Sequence, residues 1–324
     1  MLLMCLCWKT YEKMAEQSKK ASTFKSLLLP PISIILDSAK NNMKIQAYAK
    51  INIGLYILGK RSDGYHDLET IFHEINLFDE IDLEPHKTLE MNADSILVPI
   101  DESNLCLRAA NILQKERKIK EGAMIQLRKN IPIGAGLGGG SSDAAAVLRG
   151  LNDLWKLKLS NHQLRTIAEQ IGSDVPFFIE GGNAYASGRG EILEHFSLDI
   201  PFWIAVVTPL IHISTTWAYG HLKLQRDGKG SELRTKIAKY LSNPKKIPTL
   251  VQNDFEQSTV KIFPEIGRLK EKLKEQGAVF SLMSGSGSSV FGFFESEKKA
   301  LDALGLFPKN YQTSLTAPTF KPDR

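Results

Sequence analysis

Cysteine is scarce in this chain of 324 residues. Only Cys5, Cys7 and Cys106 occur, and none stands in the spacing of a metal-ligand cluster. A single thiol in the globular part suits a reducing cytoplasm. Long apolar runs are missing too. No stretch reaches the roughly 18 residues of a membrane span, and LLLPPISIIL (27–36) is interrupted by Pro30 and Pro31. The opening MLLMCLCW is too short for a secretory signal and lacks a basic leader. An excess of one charge is lacking as well. The net charge is +5, but residues 1–42 carry +3 of it, six lysines against Glu12, Glu16 and Asp37. The remaining 282 residues hold 35 basic and 33 acidic side chains, a balance that argues against a general nucleic-acid binder. No internal repeat or low-complexity tract is visible. With 43% apolar and 24% charged residues, the chain has the composition of a soluble globular protein, and its length suits two domains.

What is abundant is local. Residues 132–142 read PIGAGLGGGSS. Gly134, Gly136, Gly138, Gly139 and Gly140 permit backbone angles and close approaches that a Cβ forbids. Pro132, Ile133, Ala135 and Leu137 complete the loop, and Ser141 and Ser142 add hydroxyls where a phosphate or metal oxygen would sit. Upstream, Ala123, Ile125 and Leu127 alternate with Met124, Gln126 and Arg128, the pattern of a half-buried strand. Downstream, Ala144, Val147, Leu148, Leu151 and Leu154 or Trp155 recur on one helical face. Strand, glycine loop and helix N-terminus together make an anion site, because unsatisfied N–H groups and the helix dipole point at the same spot. A Walker A loop is excluded, since no lysine lies between Lys129 and Lys156. The literal GxGxxG at Gly134, Gly136 and Gly139 lacks the acid a dinucleotide fold needs about 20 residues on; position 159 is leucine and the nearest acid, Asp153, lies on the helix itself.

Along the rest of the chain, Met43 opens the strand pattern MKIQAYAKINIGLYIL. Helices are expected over 104–116, over 162–172 with Gly172 closing the second, and over 264–276. GGNAYASGRGEIL (181–193) reads as a hairpin, FWIAVVTP (202–209) as a strand, and 278–294 as strand–turn–strand. Residues 225–250 read as helical pieces on the surface. Residues 1–42 keep no sustained period and read as a poorly ordered extension, an added leader or an over-long start, with a partner-binding arm as the functional alternative.

Five segments stand out: AKIN (49–52), DGYH (63–66), PIGAGLGGGSSDAAA (132–146), GSDVPFF (172–178) and SGSGSSVFGFF (284–294). Phosphoryl transfer needs a triphosphate cradle, a cation and an aligned hydroxyl. The loop supplies the first, Lys50 can supply the second, and Asp174 can accept the hydroxyl proton. Taken singly, Lys50 reads equally as a surface lysine, Asp174 as a helix cap, DGYH as an Asp-Gly turn and SGSGSS as a hairpin turn.

In order and spacing, over about residues 43–294, the segments resemble the GHMP small-molecule kinases. The resemblance implies an α+β fold of two parts: a mixed α/β N-terminal domain (43–200) and a ferredoxin-like C-terminal domain (201–324), with the active site in the cleft between them. AKIN followed by DGYH points to the branch acting on a diphosphocytidyl methylerythritol. The implied reaction is ATP-dependent phosphorylation of its 2-hydroxyl, giving the 2-phosphate and ADP, a step of non-mevalonate isoprenoid synthesis. Mg²⁺ rides on the triphosphate, with no metal assigned to protein side chains. By the same resemblance Asp174 is the base, and Lys50 orients it and stabilises the alkoxide. Asn52, Tyr65 and His66 bind the acceptor, and Thr215 and Tyr219 of STTWAY (214–219) form a second wall. SGSGSS packs beside the phosphate loop, and Asp143 is a first-turn acid favoured by the helix dipole. The expected partners are the acceptor and ATP, without nucleic acid or membrane, in a cytoplasmic monomer or weak homodimer. Two alternatives stay open. A mevalonate, homoserine or sugar kinase of the same family should lack the AKIN–DGYH pair, and a non-catalytic ATP-binding regulator should lose Lys50 or Asp174.

Overall fold

The computed structural model describes residues 42–222 and 230–323. Of the extension read over residues 1–42, residues 1–41 lie outside them, as do residues 223–229 of the charged stretch. Residues 42–324 form one compact unit.

The first sheet grows from one long hairpin. Strands β1 (Met43–Lys60) and β2 (His66–His86) pair antiparallel, with Lys50 opposite Glu74 and Asn52 opposite Phe72. The register slips between Asn52 and Leu55, where Gly54 takes φ +82°. Such a bulge re-aims the strand. The far half of β2 pairs with β4 (Gly122–Arg128), which pairs parallel with β3 (Leu89–Ala93). The near half pairs with β5 (Asn183–Ser187), which forms a hairpin with β6 (Ile192–His195), as the glycine-flanked sequence suggested.

Both faces of this sheet are covered, so the middle of β1 is buried without alternation. On one side lie helices α1 (Leu105–Arg117), α2 (Gly139–Leu154), α3 (Asn161–Ala168) and α4 (Val175–Glu180). There Val147, Leu148 and Leu151 of α2 pack with Ile81, Leu83 and Ile125. On the other side Ala49, Ile51, Ile53 and Ile71 meet Phe280, Leu282, Phe291 and Phe293 of a second sheet.

That second sheet has strand order β10–β7–β9–β8, built from β7 (Trp203–Thr208), β8 (Phe280–Met283), β9 (Val290–Phe294) and β10 (Gln312–Thr316), all neighbours antiparallel. Helices α9 (Pro264–Glu275) and α10 (Glu297–Leu304) complete the βαββαβ ferredoxin-like order. Between β7 and α9 run α5 (Thr215–Gly220), α6 (Leu233–Leu241), α7 (Ile247–Leu250) and α8 (Glu256–Ile262).

Two expectations need correction. The helix begun at Asn161 ends at Ala168, not Gly172. Turn bonds continue to Gly172, whose N–H still reaches the Ala168 carbonyl at 3.3 Å. The pieces over 233–250 are not simply superficial. Leu233, Ile237, Leu241, Ile247 and Leu250 are buried in the core shared by the two sheets, because a charged helix still buries its apolar stripe. No described helix is long and apolar enough to cross a membrane.

Candidate active site

The glycine loop lies where α2 begins. The helix cap is Gly138 (φ +72°), and no side chain bonds the first-turn N–H groups. Those donors are left to a ligand. A Cβ on Gly136 (φ +78°) would collide with the Ser284 carbonyl, because the late glycine turn packs directly on the loop. Ser284 Oγ donates to the Gly136 carbonyl (2.9 Å), and the Ser289 N–H donates to the Ala135 carbonyl (3.1 Å). Residues 132–141 all line a cleft of about 820 Å³.

Ser142 and Asp143 are both buried. Ser142 Oγ is buried and donates to the Tyr48 carbonyl at 2.7 Å. Its hydroxyl anchors α2 to β1. Asp143 is past the first turn and is buried, so it is not a dipole-complementing surface acid. It accepts from Lys129 Nζ at 2.9 Å, and Lys129 also pairs with buried Asp79. Burial pushes the Asp143 carboxyl well above the ordinary range against the pull of Lys129.

Lys50 and Asp174 meet beside the loop. The Lys50 N–H donates to the Leu137 carbonyl at 3.0 Å, tying β1 to the loop. Its ammonium is buried, 3.4 Å from Asp174 Oδ2 and 4.8 Å from the Phe72 ring centre. Burial lowers its pKa, and the Asp174 charge opposes the shift. Asp174 occupies the cap position of α4 but makes no capping bond. Its side chain is 34% exposed and faces the cleft, so the helix-cap reading falls away.

Asn52 also lines the cleft, yet its amide is already engaged. Oδ1 accepts from Lys50 Nζ at 2.5 Å, and Nδ2 donates to Thr70 Oγ1 at 2.9 Å. It supports Lys50, and one amide hydrogen and one oxygen lone pair remain for an acceptor molecule.

At the other end of the cleft DGYH does two things. Asp63 Oδ1 accepts from the Tyr65 N–H at 3.1 Å and closes the turn. The same turn presents Tyr65, 53% exposed, and His66. His66 stacks on Tyr219, ring centres 4.8 Å apart and planes at 19°. Tyr219 stands edge-on to Phe255 at 4.9 Å. Because His66 and Tyr219 touch, a pyrimidine cannot enter between them and must use an outer face. Burial, with Asp174 adding to it, pushes the Tyr219 hydroxyl up to about 12, so it remains a donor. Burial and the nearby Lys60 lower His66. Thr215 is the exposed first residue of α5 and lines the same wall.

Arg189 was not singled out from the sequence. It sits between Gly188 and Gly190 in the β5–β6 turn, its guanidinium 4.8 Å from the Tyr65 ring centre, and it lines the cleft. A basic residue at the tip of the GRG turn was the available signal. Among the described residues, no group of three or more His, Cys, Asp or Glu side chains gathers as a metal site.

Comparison with known proteins matches residues 104–182 to the GHMP kinases N terminal domain and residues 237–311 to the GHMP kinases C terminal family. The 4-diphosphocytidyl-2-C-methyl-D-erythritol kinase of Pelodictyon phaeoclathratiforme is 43% identical over 278 residues, covering 85% of this chain and 97% of the relative. That of Chlorobium phaeovibrioides is 44% identical over 285 residues, covering 87% and 98%. Among solved structures, a 4-(cytidine 5'-diphospho)-2C-methyl-D-erythritol kinase superposes with a TM-score of 0.73 at 32% identity, over 85% of this chain and 98% of its own. Homoserine kinase from Cytophaga hutchinsonii superposes at 0.64 with 18% identity, over 90% and 98%, a likeness of fold alone.

Proposed function

From the premise that this chain belongs to the GHMP kinases, and among them to the 4-diphosphocytidyl-2-C-methyl-D-erythritol kinases, we propose how its cleft does the chemistry. The reaction is ATP-dependent phosphorylation of the diphosphocytidyl alcohol in isoprenoid precursor synthesis. The phosphate loop and the open N-terminus of α2 hold the triphosphate. Tyr65, His66 and Tyr219 offer the cytidine ring apolar faces and polar edges, with Thr215 beside them. Arg189 adds positive charge on the same side.

Between these two ends lies the reacting centre. The 2-hydroxyl oxygen forms a bond to the γ-phosphorus while the bond to the bridging oxygen of ADP breaks. Asp174 takes the hydroxyl proton. Lys50 keeps a positive charge against the transferring group and holds the carboxylate in place. The observation that carries this reading is the position of Lys50. Its Cε lies 3.1 Å from where a Cβ on Gly138 would stand, and its Nζ lies 3.4 Å from Asp174. The Lys50 side chain therefore runs alongside the phosphate loop and ends in an ammonium at the base.

The donors fit a magnesium ion brought in on the nucleotide. Hard oxygen ligands suit it, and Ser141, which lines the cleft at the loop, would offer its hydroxyl oxygen, leaving the Asp174 carboxylate to the proton. When bound, the ion neutralises charge on the transferring phosphate.

A coupled ADP-release assay across acceptors tests the reading. Turnover is expected with the diphosphocytidyl compound and not with mevalonate or homoserine. The reverse pattern would remove the cytidine assignment and keep the kinase.

A further inference from the structure

Resting on that reading of Lys50 and Asp174, we propose that Thr70 and Ser284 are positioning residues. Thr70 fixes which way the Asn52 amide points, Ser284 holds the Asn52 backbone, and through Asn52 they keep the Lys50 ammonium on the base.

The argument comes from hydrogen-bond polarity. Thr70 Oγ1 donates to the Gly54 carbonyl at 2.5 Å. A carbonyl can only accept, and a hydroxyl has one hydrogen to give. Thr70 Oγ1 must therefore accept from Asn52 at 2.9 Å, and only the NH₂ end of the amide can donate. Oδ1 is then forced toward Lys50 Nζ, 2.5 Å away. The Gly54 carbonyl that sets the sequence is itself turned by the β1 bulge.

The same logic holds Asn52 from behind. Ser284 Oγ donates to the Gly136 carbonyl at 2.9 Å, so it accepts from the Asn52 backbone N–H at 3.3 Å. Asn52, Thr70 and Ser284 are all buried. Water cannot easily replace a missing partner, and a misdirected buried polar group is costly. The bulge carbonyl thus sets the orientation of the Asn52 side-chain amide, and the phosphate-loop carbonyl, through Ser284, holds the Asn52 backbone in place. An amide flipped end for end would point two N–H donors at a buried ammonium.

The test is a pair of variants at one position. Thr70→Val keeps the shape and removes the hydroxyl, and Thr70→Ser restores it. For Thr70→Val, kcat should fall roughly ten- to a hundredfold, the scale of a lost hydrogen bond to a charged group. KM for ATP and for the acceptor should stay within about twofold. Lys50, short of an acceptor, should lose its proton more readily, so the alkaline limb of the kcat–pH profile should move to lower pH. Thr70→Ser should restore both kcat and the profile. A folded Thr70→Val enzyme with kcat within about threefold of wild type and an unmoved alkaline limb would overturn the proposal. So would a serine variant as slow as the valine, since packing and not the hydroxyl would then matter. Thermal unfolding of each variant establishes that it is folded. Wild-type ADP release with the cytidine acceptor, run alongside, separates failure of this proposal from failure of the kinase reading.

Discussion

Two lysines in this molecule face aspartates, and they do opposite jobs. Lys50 has one carboxylate, Asp174, at 3.4 Å, and that carboxylate is 34% exposed. Lys129 has two, Asp79 and Asp143, and all three groups are buried. Burial weakens the proton affinity of both ammoniums. At Lys50 it wins and the pKa is lowered. At Lys129 the charges of Asp143 and Asp79 outweigh it and the pKa is raised. The second cluster is pinned on every side: Asp79 Oδ1 accepts from the N–H groups of Asn130 (2.6 Å) and Ile131 (2.8 Å), locking the exit of β4 beneath the phosphate loop. A cation that must respond to a reaction is under-paired. A cation that must hold a loop is saturated. Pairing, not residue type, separates the two, for both side chains are almost fully buried and both line the cleft.

The largest effect that could break this contrast is on folding. Lys129→Met leaves two carboxylates buried without a cation, and removing one member of such a cluster costs about 3–5 kcal/mol. Urea or thermal denaturation should show a severe loss, with little folded protein left at about 37 °C. Lys50→Met should leave stability near wild type, because water can reach Asp174, while kcat drops roughly a hundredfold or more. If the two outcomes were exchanged, the roles assigned to the clusters would be exchanged as well.

Next comes the base. Asp174→Asn keeps the shape and removes the proton acceptor, so kcat should fall by ~10²–10⁴-fold with ATP binding near normal. A double variant with Lys50→Met should be little worse than the poorer single variant. Turnover within about threefold of wild type would mean that the loose transition state needs no base, and would leave the kinase assignment standing. A smaller effect should appear at the far wall. Tyr65→Ala or His66→Ala should raise KM for the acceptor roughly tenfold, the scale of one stacked base, without raising KM for ATP. Equal effects on both substrates would take these rings out of the acceptor pocket.

The contrast also marks what could be read from the sequence. The glycine loop with its flanking strand and helix was legible, because local spacing carries backbone needs. Lys50, Asp174, Tyr65 and His66 stood out within their motifs, and the structure brings all four to one cleft. Asn52 was legible as a site residue but not in its role, since that role depends on a bulge at Gly54 and on Thr70, eighteen residues away. Ser142 looked like its neighbour Ser141, and only the helix phase sends its hydroxyl to Tyr48. Asp143 looked like a surface acid because its cation, Lys129, comes from the end of β4 and its second carboxylate, Asp79, from β2. Long-range pairing of charges leaves no periodic trace.

The finest test distinguishes the two carboxylates around Lys129. One lysine cannot balance both in a buried site, so one should hold a proton. The expected member is Asp143: its Oδ1 is buried without a hydrogen-bond partner, and burial pushes its carboxyl upward. A carboxyl raised in the folded state contributes stability that is fully present below the unfolded value and is lost as pH rises through the folded one. Wild-type protein should therefore lose stability with rising pH over that window. Asp143→Asn is neutral throughout, so its urea midpoint should lack this fall and should lie within about 1 kcal/mol of wild type in stability near pH 7. Asp79→Asn should cost more at every pH, because it turns an NH₂ group toward Lys129 where a carboxylate stood. The measurement is a series of urea midpoints for the three proteins, run upward from about pH 4. Parallel curves for wild type and Asp143→Asn would show that Asp143 is charged in the fold. The cluster would then be a fully ionised triad, and the difference between the two lysines would rest on the number of charged partners.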